Sequence, residues 1–92
     1  MNNLIWTPRF IKSFKKVIKK NSFLKPKILK VLELIEFNPF DNKLKTHKLN
    51  GKYKDYYACS IEYDLRIIFE IDTETNEILI ILLNIGTHDD VY

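Results

Sequence analysis

The sequence predicts an α+β fold in which a helical hairpin packs on a small, mainly antiparallel sheet. Apolar residues recur at helical spacing before Pro39 and alternate at strand spacing after it. The two predicted helices are separated by only a few residues, which favours an antiparallel pair. The chain has 92 residues, of which 46% are hydrophobic, enough for one core. We therefore interpret residues 1–92 as a single domain with the order β-α-α-β-β-β.

The N-terminal segment predicts a strand followed by a helix. Residues 3–6 are short and apolar, as in a first strand. Thr7 and Pro8 are typical of a helix start, with Thr at the N-cap and Pro at the first helical position. One face of the helix that follows is apolar, and the opposite face is rich in lysine. The apolar face contains Phe10, Ile11, Phe14, Val17 and Ile18.

A second helix is predicted to begin near Leu24 or Lys25, with Pro26 in its first turn, and to end before Pro39. Its apolar positions are Ile28, Leu29, Val31, Leu32, Ile35 and Phe37.

The C-terminal half has the two-residue period of β-strands. Strands are predicted over residues 56–60, 61–71 and 77–85, with a hairpin turn over residues 72–76. In the second of these, odd-numbered residues from Ile61 to Ile71 share one face. The last strand is apolar on both faces, which indicates a central strand covered on both sides.

Charge is distributed unevenly along the chain. Residues 1–54 contain 14 Lys and Arg against three acids, and residues 55–92 contain one Arg against nine acids. The balances of +11 and −8 leave a net charge of +3. Such a separation creates a basic face that attracts a polyanion or an acidic protein segment. The alternative interpretation is that surface lysines only keep a small protein in solution.

Composition excludes several function classes. The longest apolar run, residues 78–83, is far shorter than the roughly 20 residues of a membrane span, so no membrane partner is expected. The N-terminus lacks the pattern of a secretory signal. A single cysteine, Cys59, fits a reducing, cytoplasmic setting and is predicted to be buried. Two glycines exclude a Gly-rich phosphate loop, and two histidines with scattered acids predict neither a metal site nor a cofactor.

Few residues are suited to acid–base chemistry. His88 follows the last predicted strand, and histidine is the side chain that titrates near neutral pH. Asp64 and Arg66 are predicted to share one strand face, about 7 Å apart, and the Arg fork suits a phosphate. His47 precedes the first hairpin, and Tyr92 is the terminal aromatic residue. Each also has a purely structural interpretation. His88 is then a surface histidine, Asp64 and Arg66 form an ion pair, His47 is a loop residue and Tyr92 is a frayed end.

These residue types are the parts that metal-free RNA cleavage requires. A base takes the proton of the ribose 2′-OH, an acid protonates the 5′ oxygen that leaves, and a cation stabilises the phosphorane. The residues alone leave a nuclease and an RNA-binding protein equally open.

Three segments in the C-terminal half carry a family resemblance. They are His47-Lys-Leu-Asn-Gly-Lys-Tyr-Lys-Asp-Tyr56, Ile61-Glu-Tyr-Asp-Leu-Arg-Ile-Ile-Phe69 and Ile85-Gly-Thr-His-Asp-Asp-Val-Tyr92. Together they resemble the YafQ branch of the RelE/ParE toxins, which are the toxin halves of bacterial type II toxin–antitoxin modules. The resemblance implies a RelE-like domain with a helical hairpin on a curved sheet.

The resemblance also implies an activity, a site and partners. Members of this branch cleave messenger RNA in the ribosomal A site and leave a 2′,3′-cyclic phosphate or 3′-phosphate end. It implies that mRNA, the 70S ribosome and a cognate antitoxin with an acidic segment are partners, and that DNA is contacted only through the antitoxin. The implied catalytic residues are His88, His47, Asp64 and Arg66, the last for charge stabilisation, and Tyr92 holds the substrate.

One position departs from the family pattern. The best-known members carry a histidine four residues before the aspartate, where this chain has Ser60. Serine hydrogen-bonds a phosphate but does not exchange protons near neutral pH. Either His47 and His88 divide the acid and base roles, or cleavage is slower and depends on positioning by the ribosome.

The first helix has a basic face, and two other functions are compatible with the same fold. Four lysines of this helix are predicted to bind the negatively charged backbone of RNA. A ParE-like gyrase inhibitor and a non-catalytic RNA- or antitoxin-binding module of the same fold are the alternatives. The closing Gly-Thr-His favours the nuclease, and Ser60 favours the non-catalytic module. The four lysines are Lys12, Lys15, Lys16 and Lys19.

Overall fold

The computed structural model describes residues 2–73 and 76–92. Its elements confirm the predicted α+β fold and add a two-residue strand and a short C-terminal helix. No helix among these residues has the length and apolar character needed to cross a bilayer. In chain order the elements are β1 (Asn3–Trp6), α1 (Pro8–Lys20), α2 (Lys25–Phe37), β2 (His47–Lys48), β3 (Tyr57–Glu62), β4 (Leu65–Asp72), β5 (Leu79–Gly86) and α3 (His88–Val91).

The five strands form one sheet in the order β1-β5-β4-β3-β2. β1 runs parallel to β5, with Asn3 opposite Leu79, and the other three pairs are antiparallel. The sheet is therefore mainly antiparallel, as predicted. β5 lies between β1 and β4, so it is an interior strand, although β4 occupies the middle of the sheet.

The start of α1 is joined to the sheet by its capping residue. The Thr7 hydroxyl accepts a hydrogen bond from the Phe10 amide at 3.1 Å and donates one to the Leu82 carbonyl at 2.7 Å. Phe10 and Phe14 are buried below the helix, and both rings meet Trp6 edge-on, at centroid distances of 5.2 and 5.3 Å. The predicted N-cap thus also fixes where α1 lies on β5.

α2 follows a single 3-10 turn, Ser22–Leu24, and has Pro26 in its first turn, as predicted. Ile28, Leu32 and Ile35 are buried in the core. Two of the predicted apolar positions are exposed: Leu29 to 43% and Phe37 to 75%. Two residues beyond Ile35 correspond to about 200° of helical rotation, so the side chain of Phe37 points away from the sheet.

The boundary between β3 and β4 differs from the prediction. The chain turns at Tyr63 and Asp64, where the alternation predicted a continuous strand from residue 61 to 71, and Glu62 pairs with Leu65. A two-residue loop alone would pair even with odd positions, but a register shift between Ser60 and Glu62 places Ser60 opposite Arg66. Because of this shift the odd–even pattern continues through the turn, and the sequence pattern hides it. Tyr63 is the first loop residue and has a left-handed backbone, with φ of 43°. Asp64 is therefore a turn residue and does not share a strand face with Arg66.

The sheet has two covered faces. One packs against α1 and α2, and Cys59 and Ile61 belong to this main core. The other face holds a smaller cluster of Ala58, Ile68 and Val91. Val91 belongs to α3, so this second face carries the C-terminal helix.

The connection between β4 and β5 was predicted as a turn over residues 72–76. Asp72 pairs with Leu79, which brackets that segment. Residues 74 and 75 lie outside the described residues.

Candidate active site

α3 positions the C-terminal histidine. The Thr87 hydroxyl accepts a hydrogen bond from the Asp90 amide at 3.4 Å, and the Asp90 carboxylate accepts one from the Thr87 amide at 3.2 Å. These two bonds form a capping box, which starts the helix at His88. A Cβ at Gly86 would lie 2.8 Å from the Asp90 Cβ, so the position has no room for a side chain. Gly-Thr-His is therefore the segment that turns the chain from β5 into α3.

His88 lines a hollow of about 310 Å³, here named the histidine hollow. His47, Arg66 and Tyr92, all predicted site residues, line it as well. His47 is opposite Ala58 in the register of β2 and β3, and so lies on the face of the sheet that carries α3. Four of the predicted residues thus meet at one place.

Tyr92 lies at the centre of this group. Its ring centroid is 4.5 Å from that of His88, with the rings edge to face. The Arg66 guanidinium carbon is 6.0 Å from the same ring centroid. The Tyr53 ring is 6.2 Å away on centroids. The terminal tyrosine therefore contacts the side chains of both the strand arginine and the C-terminal histidine.

Two polar atoms of the histidine hollow have no protein partner. The Arg66 Nε and the Tyr92 hydroxyl are buried, and neither makes a hydrogen bond with the described part of the chain. Buried donors are normally satisfied, because leaving one unpaired costs about 1–3 kcal/mol. Both atoms can donate to an anionic oxygen, and a phosphate offers several.

The two histidines are held by different contacts. The His47 Nδ1 lies 3.2 Å from the Lys45 carbonyl oxygen. A carbonyl only accepts, so Nδ1 carries the proton in this bond and Nε2 of the neutral ring has a free lone pair. The His88 Nδ1 is 3.6 Å from the Asp89 carboxylate, and the side chain is 54% exposed. Nε2 of neither ring has a hydrogen-bond partner among the residues that the structure describes.

The structure does not bring every predicted residue into the histidine hollow. Ser60 is opposite Arg66 in the register of β3 and β4, so both side chains lie on the same face. Asp64 lines a different hollow, together with Tyr63 and Thr87. The predicted shared strand face of Asp64 and Arg66 is therefore wrong, and the catalytic role of Asp64 stays a prediction.

The four predicted lysines of α1 are all exposed. Lys16 lines a small hollow with Asp90, and its charge is among those that lower the pKa of that carboxylate. The larger cause of the lowered pKa of Asp90 is its hydrogen bonds with Thr87. The basic face of α1 therefore extends to the helix that carries His88. The lysines are Lys12, Lys15, Lys16 and Lys19.

The YafQ toxin family model, described as a bacterial toxin of the type II toxin–antitoxin system, matches residues 2–92. The chain belongs to the YafQ toxin family. It is the toxin of a type II toxin–antitoxin system. No curated protein matches the sequence.

Solved structures share the fold of this YafQ-family toxin. A metal-bound toxin from Helicobacter pylori is 28% identical, with a TM-score of 0.80 over 100% of both chains. YafQ from E. coli strain BL21(DE3) is 20% identical, with a TM-score of 0.81 over 100% of this chain and 99% of that chain. YafQ in the E. coli DinJ–YafQ toxin–antitoxin complex is 20% identical, with a TM-score of 0.78, and the match covers 99% of this chain and 97% of that chain.

Part of the site of this YafQ-family toxin was not predicted from the sequence. Lys48, Asn50 and Tyr53 also line the histidine hollow. The alternation of lysine and aromatic residues after His47 is a signal that could have indicated them. The spacing of Thr87 and Asp90 is a capping-box signal that could have predicted α3. Within residues 2–73 and 76–92, no three His, Cys, Asp or Glu side chains are grouped as a metal site would require.

Proposed function

We propose that this YafQ-family toxin is a metal-independent endoribonuclease that cuts mRNA on the translating ribosome. One observation carries the proposal: the histidine hollow combines two imidazoles with two buried, unpaired donors, the Arg66 Nε and the Tyr92 hydroxyl. The donors suit a phosphate, and the imidazoles suit proton transfer on either side of it.

His47 is the proposed general base. Its Nδ1 proton is held by the Lys45 carbonyl, which leaves Nε2 to take the proton of a ribose 2′-OH. The 2′ oxygen then attacks the adjacent phosphorus. The RNA supplies its own nucleophile, so no serine or cysteine of the protein is required.

Arg66 and His88 act on the phosphate and the leaving group. Arg66 donates hydrogen bonds to the non-bridging oxygens as negative charge builds on the phosphorane. The His88 Nε2 gives its proton to the 5′ oxygen as the P–O5′ bond breaks. The products are a 2′,3′-cyclic phosphate and a free 5′-OH, and both protons are accounted for.

Three further residues have supporting roles in this proposal. Tyr92 positions the phosphate through its hydroxyl and packs its ring against His88. Ser60 is opposite Arg66 but lines a different hollow, beside α2, so its proposed contact with the substrate rests on the strand register alone. Asp64 has no contact with the histidine hollow that supports a proton-transfer role.

The proposal includes partners and a location. The positive balance of residues 1–54 suits ribosomal RNA and mRNA, and also a cognate antitoxin with an acidic segment. E. coli YafQ, which has the same fold as this chain, is known in a toxin–antitoxin complex with DinJ, and that complex supports an antitoxin partner here. Action on ribosomes places the toxin in the cytoplasm, and contact with DNA would be indirect, through the antitoxin.

Primer extension on a defined mRNA, with and without translating ribosomes, tests this function. The parent protein should produce cuts only when ribosomes are present. His88→Ala should reduce cleavage by about 100-fold or more, the usual contribution of a positioned acid or base. His47→Ala should have a similar effect.

Lys25→Ala, a change at an exposed α2 position outside the site, is the matched control and should cut like the parent. Cuts on naked RNA that require His88 would mean a ribosome-independent ribonuclease. If no lane contains cuts, the proposed nuclease activity is contradicted, and gyrase inhibition or a non-catalytic binding module is favoured.

A further inference from the structure

A hollow of about 250 Å³, here named the tyrosine hollow, adjoins the histidine hollow. Leu49 and Tyr53 line both of them. Two consecutive residues line one hollow each, Val91 the tyrosine hollow and Tyr92 the histidine hollow. The tyrosine hollow is therefore the space next to the proposed position of the phosphate.

The walls of the tyrosine hollow are aromatic and apolar. Tyr53 and Tyr56 are half-buried, with ring centroids 6.3 Å apart and ring planes inclined by 39°. Apolar walls disfavour a phosphate, because the anion would lose its hydration there, and they suit the flat face of a nucleobase. The aliphatic part of the lining consists of Leu49, Ile68, Leu83 and Val91.

Asn84 supplies an unpaired donor in the lining of this hollow. The side chain is only 7% exposed. Its Oδ1 accepts hydrogen bonds from the Ser13 hydroxyl at 2.7 Å and from the Ile85 amide at 2.9 Å. Because a backbone amide only donates, the second bond identifies Oδ1 and leaves Nδ2 as the donor. No described residue accepts a hydrogen bond from Nδ2, and a buried donor without a partner indicates a ligand.

Arg9 adds a second donor group. It is exposed, lines the tyrosine hollow and forms no ion pair with the described residues. Arg9 and Asn84 also line the small hollow of Lys16 and Asp90, so they mark the boundary between the two. The hydroxyl of Thr7, another lining residue, is occupied by its bonds within the fold. The polar end of the tyrosine hollow therefore offers the N–H groups of Asn84 and Arg9.

We propose that the tyrosine hollow is a guanine-selective subsite for the base of a nucleotide next to the cleaved phosphate. Guanine presents two neighbouring acceptors, N7 and O6, which suit the N–H groups of Arg9 and Asn84. Adenine has an amino group in place of O6, so a donor would face donors. Tyr53 and Tyr56 provide the surface for stacking. The subsite presupposes the proposed RNA substrate and adds a base preference to it.

Binding of RNA that cannot be cut tests this subsite separately from cleavage. The probes are fluorescent 2′-O-methyl oligoadenylates with one central guanosine, inosine or adenosine, and the readout is anisotropy at fixed salt without ribosomes. The parent protein should bind the guanosine probe about 5- to 100-fold more tightly than the adenosine probe, the usual discrimination by a bidentate contact. Inosine should behave like guanosine, because it keeps N7 and O6 and lacks only the 2-amino group.

Asn84→Asp and Arg9→Gln should both lose the preference for guanosine. Asp keeps an oxygen for the Ser13 and Ile85 hydrogen bonds and replaces the Nδ2 donor with an acceptor. Arg9 is exposed, so Arg9→Gln keeps the test valid if thermal melts show that Asn84→Asp is unfolded. The matched control is Lys25→Gln, which removes one positive charge at an exposed position outside the hollow and should retain the preference.

Tyr53→Ala should weaken binding of all three probes by about 5- to 100-fold, because stacking does not distinguish the bases. Its control is Tyr63→Ala, since Tyr63 is 98% exposed and lies outside both hollows.

Equal affinities of the parent for the guanosine and adenosine probes, or no RNA binding, would overturn the subsite. A preference that Asn84→Asp and Arg9→Gln both retain would do the same. So would loss of a coexpressed antitoxin from Tyr53→Ala with RNA affinity intact, because the hollow would then be a protein-docking site. Ribosome-dependent cleavage is measured independently. A parent that prefers guanosine but never cuts mRNA contradicts the proposed function alone.

Discussion

Side chains of neighbouring residues in one strand differ sharply in chemistry because they lie on opposite faces of the sheet. Cys59 faces the main core, and burial raises the pKa of its thiol to about 12. Ser60, the next residue, lies opposite Arg66 on the face that carries the histidine hollow. The single cysteine of the chain is thus buried and protonated at neutral pH, while the side chain of the next residue lies on the opposite face of the sheet.

We expect Cys59 to resist alkylation in the folded protein. Thiolate is the reactive form, and at neutral pH a thiol with this raised pKa is almost entirely protonated as well as buried. Iodoacetamide labelling followed by mass spectrometry should show slow reaction in native buffer and rapid reaction in denaturant. Rapid labelling of the native chain would contradict the burial of this side chain.

At the scale of an element, α3 is too short to be stable by itself. A helix of four residues depends on its cap and on packing, because helix nucleation is unfavourable. Thr87 and Asp90 provide the cap, and Val91 packs against the sheet. The element that positions His88 and Tyr92 is therefore held mainly by its N-terminal cap and by the packing of Val91.

Thr87→Ala should destabilise the protein by about 1 kcal/mol, the usual cost of losing an N-cap side chain. It should also lower cleavage, because His88 is the next residue. Denaturant unfolding measures the first effect and primer extension the second, with Thr87→Ser as the conservative control. Unchanged stability in Thr87→Ala would mean that the capping box contributes nothing.

The Asp90 half of the cap should be sensitive to pH. Hydrogen bonds with Thr87 lower the pKa of Asp90 below its ordinary 3.8, so the folded state favours the carboxylate. The stabilisation is therefore present above pH 3.8 and is lost as the pH falls through the lowered value. In thermal melts the difference between the parent and Asp90→Asn should disappear in strong acid. A difference that persists there would contradict this linkage.

At the scale of the whole molecule, positive charge is concentrated in residues 1–54 and negative charge in residues 55–92. The basic excess of residues 1–54 is concentrated on exposed helix lysines, and Lys16 and Lys20 both act on Asp90 in α3. A basic surface that reaches the histidine hollow can guide an RNA backbone towards it.

Reversing the four α1 lysines to glutamate should weaken ribosome binding and reduce its salt dependence. Each lost phosphate contact lowers the slope of log affinity against log salt by about 0.7–0.9, or about three for four contacts. Cosedimentation over a salt series measures this slope. Unchanged binding at low salt would refute the role of Lys12, Lys15, Lys16 and Lys19.

The control is a matched reversal of four exposed lysines elsewhere, which should leave the slope near that of the parent. They are Lys25, Lys30, Lys43 and Lys54.

Local sequence pattern alone was sufficient to predict the helices and the strand content. Thr7, Pro8 and Pro26 act within one helical turn, so their effects do not depend on the rest of the fold. Alternation after Pro39 predicted a sheet, and residue types together with the family resemblance indicated His47, Arg66, His88 and Tyr92.

Only the tertiary structure decided which of these residues meet. The turn at Tyr63 and Asp64, together with the register shift just before it, leaves the odd–even pattern unbroken, so no periodicity could separate Asp64 from Arg66. The pairing of β2 with β3 and the docking of α3 bring His47 to His88, across 41 residues of sequence. Sequence pattern records which face a residue prefers, whereas proximity across a sheet depends on strand order and register, which are properties of the whole chain.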